Sequence, residues 1–431
     1  MRVTFLAIGS RGDVQPMIAF GLGLRAAGHT VTIATHSIFG AVVRERGLLF
    51  HPLKSDPRVL LSTASGRALL KRNRSVLMFG RRLIGLAAPC FQQDMFDCWQ
   101  ACRGADVIVG SQLGVGFGLH IADKLHAPLV RAYYVPVSPT SAYPAAFVPA
   151  ILGMNGRVNT WTHAAMRQVV WAIMRSLTNA ARRDVLKLPP LSWRDPYGMM
   201  DRYEWPVLYG HSPAVLPPPR DWPDWVTVTG FWFLDRAEDW RPPADLVRYL
   251  EAGPPPVYVG FGSMTTDSPS ETSKLVLRAL ALTGNRAVLD TGWGGLSGEV
   301  GSPDVYLVNN VPHDWLFPRM SAVVHHGGVG TTHAGIRAGV PSVIVPFLPD
   351  QRFWGHHVWK LGVGTRPIPR AQVSVQRLDE AIRVATTDQN MRERAASIGR
   401  RIRTEDGVAR AVEAFRAYTR DYCTSTLAAG S

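Results

Sequence analysis

Short runs of consecutive apolar residues alternate with longer stretches of helical periodicity through the first half of the chain, the mark of strand–helix–strand units on a parallel sheet. Val3 to Ile8 predicts a first strand, followed by the turn Gly9-Ser10-Arg11-Gly12-Asp13 and a helix that Pro16 can open near its first turn. Val31 to Ala34, Asp106 to Gly110 and Pro128 to Val130 predict further strands, and Val226 to Gly230 a last one. Between Pro136 and Pro206 the pattern turns helical and rich in Trp, Met and Arg. Trp161, Met166, Trp171, Ile173 and Met174 fall in one long segment, where they suit either core packing or the wall of a pocket for a bulky apolar ligand.

A second series begins at Pro256-Val257-Tyr258-Val259-Gly260 and runs through Ala287 to Leu289, Val305 to Val308, Ala322 to Val324 and Val343 to Val345. At 431 residues the chain exceeds what one core organises. The expected division is an N-terminal domain over 1–235, a linker over 236–255 that starts polar and proline-bearing, a C-terminal domain over 256–405, and a helix and tail over 406–431 packing back toward the N-terminal domain, the tail loose from Thr424 to Ser431. The fold class is α/β, two doubly wound domains, with a cleft between the carboxyl ends of their strands.

Composition is that of a globular protein, 46% apolar and 19% charged. Lys and Arg number 47 against 33 Asp and Glu, which favours anionic partners. Part of the excess gathers at Arg67, Lys71, Arg72, Arg74, Arg81 and Arg82 around Val76-Leu77-Met78-Phe79, either a segment lying on anionic lipid or a solvated helix face. Four cysteines, at 90, 98, 102 and 423, fit neither a disulfide framework nor a zinc site and predict buried thiols. With no signal-peptide pattern and no apolar run of about 18 residues, the expected location is cytoplasmic, at most peripheral to a membrane.

Candidate chemistry concentrates in Val323 to Gly335. Here two histidines, His325 and His326, are followed by a glycine turn, Thr331, Thr332 and a helix-like stretch. Glycines let a ligand approach the backbone, and the first N–H groups of a helix lack internal partners, so Gly328, Gly330, Thr331 and Thr332 form a candidate phosphate cradle. The imidazole of His326 can donate to a diphosphate oxygen. Phe261-Gly262-Ser263-Met264 ends the first strand of the second series and can meet the same phosphates. Asp350 and Gln351, after the strand at Val343 to Val345, suit vicinal sugar hydroxyls. In the first domain Asp13 faces the expected cleft, where it can act as a general base or serve as a helix cap. Gly9-Ser10-Arg11-Gly12 lacks the G-x-G-x-x-G spacing, which argues against a nicotinamide enzyme.

Taken together, Gly9 to Pro16, Phe261 to Met264, Gly292-Trp293-Gly294-Gly295-Leu296, Pro312 to Phe317 and His325 to Gly364 resemble the nucleotide-sugar-dependent glycosyltransferases of the GT-B fold. Within them the set is similar to the sterol 3-beta-glucosyltransferases and to bacterial enzymes that glycosylate antibiotics. The resemblance implies two Rossmann-like domains facing across a cleft and an inverting transfer of a hexose, glucose foremost. The donor would be a UDP- or TDP-sugar used as co-substrate, without a bound metal, and the acceptor a hydroxyl of a hydrophobic small molecule or lipid. It assigns Asp13 as base. His326 would hold the diphosphate with Gly328, Gly330, Thr331 and Thr332, and Ser263 would approach it. Asp350 and Gln351 would hold the hexose, and Val311 and His313 would frame the base. Two departures stand out: Asn310 and Ala334 fall where plant small-molecule glucosyltransferases carry a tryptophan and a ribose-binding glutamate, and Pro349 replaces a glycine common in the sterol branch. A peripheral lipid-binding protein, a nucleic-acid binder and a nucleotide-sugar epimerase are the rival readings. The motifs at the strand ends disfavour nucleic acid as a partner.

Overall fold

The computed structural model describes residues 1–63, 76–146, 148, 156–262, 269–292 and 302–429. Ser263, residues 293–296 and the basic positions from Arg67 to Arg74 lie outside the described residues. Seven strands form the first sheet: β1 (Arg2–Leu6), β2 (Thr30–His36), β3 (Leu49–Leu53), β4 (Val107–Gly110), β5 (Leu129–Tyr133), β6 (Val207–Tyr209) and β7 (Val226–Val228). Their order is β3-β2-β1-β4-β5-β6-β7, with every pairing parallel. A second parallel sheet contains β8 (Val257–Gly260), β9 (Ala287–Asp290), β10 (Val305–Val308), β11 (Ala322–His325) and β12 (Ser342–Ile344), in the order β10-β9-β8-β11-β12. The continuous apolar runs of the sequence follow from this architecture, because helices cover both faces and every residue of β4, β5, β8 and β11 is buried.

Helix α1 (Arg11–Ala26) starts five residues earlier than Pro16 suggests. Its first turn is set by Asp13, which accepts a 2.8 Å hydrogen bond from the Ser10 N–H and so satisfies one of the donors a helix start leaves open. Pro16 therefore sits inside the helix. The long helical segments are α2 (Val76–Cys102), α3 (Val115–Leu125) and α4 (Gly156–Ala181) in the first lobe. The second lobe carries α5 (Val329–Ala338) and α6 (Pro349–Lys360) on the cleft side, and α7 (Gln389–Arg403). Cys98 and Cys102 are buried free thiols and Cys90 is a half-buried one. No helix among the described residues is long and apolar enough to cross a membrane.

Two expectations need correcting. The stretch expected to be a linker carries the helix Ala244–Glu251, whose Leu246 is buried with Tyr258, Val288 and Leu316 in the core of the second lobe. Its apolar positions, Leu246, Tyr249 and Leu250, recur at helical spacing, and the polar composition of 236–243 masked them. The last helix, α8 (Gly407–Ala429), does not loosen at Thr424, since Leu427, Ala428 and Ala429 favour helix and no breaker comes before Gly430.

The lobes share a core. Phe20 of α1 meets Phe415 of α8 edge-on at 6.3 Å, and at Gly23 a Cβ would come within 2.5 Å of Val408, so only glycine lets these helices approach. One cluster of buried residues joins Phe20 and Trp232 of the first lobe with Ile336, Trp354 and Ile402 of the second. His333 pins the lobes together: its Nε2 accepts from the Ser212 N–H at 3.3 Å, its Nδ1–H donates to the Val329 carbonyl at 2.9 Å, and Phe231 stacks on its ring at 4.6 Å. Both nitrogens have partners only in the neutral form, and burial holds its pKa down at about 4.

Candidate active site

In each sheet the chain reverses winding direction beside its first strand, between β1 and β4 and between β8 and β11, and such switch points open the crevice where ligands of these folds sit. The loops leaving β1 and β11 meet there. A Cβ placed on Gly330, in the first turn of α5, would stand 3.9 Å from the Cα of Gly12, in the first turn of α1. The N-termini of α1 and α5 thus face each other across the lobes.

Asp13 projects from the first turn of α1. Besides the Ser10 N–H it accepts from the Ser10 hydroxyl at 3.1 Å, while the Tyr134 hydroxyl donates to the Asp13 carbonyl at 3.2 Å. Gly9 makes room for the carboxylate: its φ is +133°, and a Cβ there would lie 2.4 Å from Asp13 Oδ2. Behind the turn, His36 Nε2 accepts from the Gly9 N–H at 3.1 Å and its Nδ1 bonds the Ser55 carbonyl at 2.8 Å, which fixes a neutral ring protonated on Nδ1. Burial raises the pKa of Asp13, against the lowering effect of its Ser10 hydrogen bonds. Its charge is felt across the cleft by Asp350, which burial first and Asp13 second push up to about 6. One carboxylate thus braces its helix start and lies in the cleft, so its place there is compatible with both of the uses that the sequence left open.

On the opposite wall, His326 follows β11 and is buried, with its pKa lowered to about 4 by burial and by His313. Its Nδ1 has no hydrogen-bond partner, and its Nε2 lies where a Cβ on Gly328 would be 2.4 Å away. Gly262, with φ +60°, brings the loop after β8 so close that a Cβ would be 3.1 Å from His326 Cε1. Gly328 caps α5, and the first intrahelical bond runs from the Thr332 N–H to the Gly328 carbonyl at 2.9 Å. The N–H groups of Val329, Gly330 and Thr331 precede it and have no helical acceptor. The Thr332 hydroxyl is buried and unpartnered. His325 faces away, its ring perpendicular to that of His326 at 6.4 Å and its Nδ1 accepting from the Gly327 N–H at 3.1 Å. Gln351 is buried, and its Oε1 accepts from the Phe347 and Leu348 N–H groups at 2.8 and 3.0 Å, so this end of the amide shapes the loop before α6. His313 stacks on Phe317 at 4.2 Å beside Val311, and its pKa is held at about 4 chiefly by burial. Among the described residues no group of three or more His, Cys, Asp or Glu side chains is placed to hold a metal ion.

Residues 3–144 match the glycosyltransferase family 28 N-terminal domain, and residues 293–409 match the erythromycin biosynthesis protein CIII-like, C-terminal domain. A sterol 3-beta-glucosyltransferase of Cryptococcus neoformans is 35% identical over 96% of the chain, and one of Arabidopsis thaliana is 36% identical over 96%. The chain has the two-domain GT-B fold and carries the glycosyltransferase family 28 N-terminal domain. It spans 27% of the length of the fungal relative and 65% of the plant one. Two solved structures show the same fold. The kitacinnamycin glycosyltransferase is 21% identical with a TM-score of 0.68, covering 96% of this chain and 98% of that one. The calicheamicin glycosyltransferase CalG4 is 19% identical with a TM-score of 0.67, covering 97% and 98%.

The structure adds groups that sequence reasoning did not single out. Arg11, at the start of α1, lies close enough to Asp290 and Tyr258 of the second lobe for their charges to act on it, and the Tyr258 hydroxyl donates to Asp290 Oδ2 at 2.9 Å. Asp290 Oδ1 in turn accepts from the Gly292 N–H at 3.2 Å. Arg11 stands in the quoted turn, but only the facing of the two lobes brings it to Asp290. No local signal marked His36 or His333 either, because both act through partners distant in the chain.

Proposed function

We propose that the protein transfers a hexose, glucose foremost, from a nucleoside diphosphate sugar to a hydroxyl of a hydrophobic acceptor, with inversion at the anomeric carbon. The observation that carries this reading is the meeting of Asp13 with the open N-terminus of α5 and His326 across one cleft. Asp13 takes the acceptor hydroxyl proton and the freed oxygen attacks the anomeric carbon. The bond to the diphosphate breaks on the opposite side, and the His326 ring and the N–H groups at Gly330 and Thr331 take up the leaving charge, with no metal in the scheme. Thr332 and Ser263 are assigned to the same diphosphate, Asp350 and Gln351 to the hexose, and Val311 and His313 to the base. The names of the curated relatives, together with the resemblance of the motifs, favour a sterol or related lipid as acceptor, a uridine donor, and peripheral contact with the membrane that holds such a lipid.

The test pairs UDP- and TDP-hexoses with sterol, polyketide and peptide acceptors and reads the products by mass spectrometry. A gain of one hexose on an acceptor, with the anomeric configuration inverted, is the expected result. Free epimerised donor in the absence of acceptor would replace this reading with the epimerase.

A further inference from the structure

The outer face of α4 carries large apolar side chains open to solvent. Trp161 is 77% exposed, and Val158 one turn before it 42%. Trp161, Gln168 and Arg175 recur at intervals of seven and so share a face, with the small exposed residues Ala164, Ala165 and Ala172 between them. Gln168 ties a second tryptophan to this face: its Nε2 donates to the Trp193 carbonyl at 2.9 Å and its Oε1 accepts from the Asp195 N–H at 3.1 Å. Trp193 is 65% exposed there, with the Arg194 guanidinium 5.8 Å above its ring.

The charge on this face has one sign. Arg157, Arg175 and Arg194 are exposed and form no ion pair among the described residues. Two neighbouring carboxylates turn inward instead: Asp195 accepts from the Tyr197 and Gly198 N–H groups, and Asp201 is held by Arg131 and Arg167. Tryptophans flanked by unpaired arginines match the headgroup layer of an anionic bilayer, where an indole is half-immersed and a guanidinium meets phosphate.

The inner face of the same helix holds the cleft wall. Asn159 Nδ2 donates to the Ser141 carbonyl at 2.8 Å, the Ala145 N–H donates to the Thr162 hydroxyl at 2.9 Å, and His163 Nε2 bonds the Tyr143 carbonyl at 3.1 Å. Tyr143 then meets Phe353, three residues after Asp350 on α6, with ring centroids 6.2 Å apart. We infer that the face of α4 bearing Trp161, Trp193, Arg157, Arg175 and Arg194 docks on an anionic lipid surface, which sets the acceptor side of the cleft one helix diameter, about 10 Å, from the bilayer. The inference deepens the reading of a lipid acceptor and rests on it.

Flotation of the full chain with phosphatidylcholine vesicles, with and without phosphatidylserine, tests the surface. Binding is expected to require phosphatidylserine, to be abolished by the double substitution W161A/W193A, and to weaken about five-fold in R175Q and in R194Q. Turnover of a short water-soluble acceptor is expected to be the same in these variants as in the wild type, while turnover of a sterol held in vesicles falls with binding. Variants that float as the wild type does would overturn the inference. So would a dimer, seen by light scattering, that W161A/W193A dissolves, because the face would then join two copies of the chain. A wild type that binds vesicles through this face yet glycosylates no acceptor would leave the surface standing and sink the proposed activity instead.

Discussion

Replacing Asp13 with Asn separates the two uses of its carboxylate. As a brace it accepts from the Ser10 N–H at 2.8 Å and the Ser10 hydroxyl at 3.1 Å. Both contacts fall on one oxygen, Oδ2, so an amide oxygen in its place keeps them without the charge, and the weakening costs no more than about 0.5–2 kcal/mol, the range for a helix-start residue. Against this, burial raises the pKa of Asp13, so the ionised group is disfavoured where it stands, and the neutral amide relieves both that penalty and the repulsion with Asp350. The terms oppose, and net stability is expected to stay within about 1 kcal/mol, a shift of a few degrees in Tm at most. Loss of a general base instead lowers turnover by about 10²–10⁴. Calorimetric unfolding, titration of the donor and single-turnover kinetics on D13N measure the three quantities separately. Unchanged donor affinity and stability with turnover down at least a hundred-fold is the expected pattern. Turnover within a few-fold of wild type would refute the base, and a fall in turnover that only follows lost stability would reduce Asp13 to a brace.

Replacing His326 with Ala removes the donor proposed for the diphosphate and should weaken donor binding or turnover by about 1.5–3 kcal/mol, the worth of a bond to a charged group. Wild-type values in both assays would exclude it from the site. In the wild type, donor binding should draw a proton to a ring whose pKa is lowered to about 4 when the cleft is empty, seen as proton uptake in calorimetry near pH 5 that H326A lacks. Asp350 has a folded pKa of about 6, above its unfolded value, so its contribution to stability is present below about pH 4 and lost as pH rises through 6. The D350N variant should therefore gain stability relative to wild type as pH rises from 4 to 7, and a difference that does not change with pH would contradict the buried acid. Gly9→Ala puts a Cβ 2.4 Å from Asp13 Oδ2 at a φ of +133°, and should cost about 1–3 kcal/mol of stability and displace the base. An active, fully stable G9A would show that the turn tolerates a side chain.

The sequence by itself determined the architecture and the chemical content of the cleft. Uninterrupted apolar strands between amphipathic helices can only be buried on both faces, and two such series give two doubly wound sheets; the strand ends then carry Asp13, His326, Gly328, Thr332 and Asp350 to the crevice. Their place at the crevice was legible because a switch point is lined by residues adjacent to strands. Tertiary structure alone decided what depends on partners far apart in the chain. It placed Gly330 against Gly12, let the charge of Asp13 raise Asp350, set Arg11 beside Asp290, and made His333 a pin between lobes. It also divided the tryptophans of one helix, burying Trp171 and leaving Trp161 in solvent, though the sequence showed them as one apolar segment. Local propensity and periodicity act over a few residues, whereas the field at a buried carboxylate and the neighbour of an indole are set by whichever surface the fold brings against them.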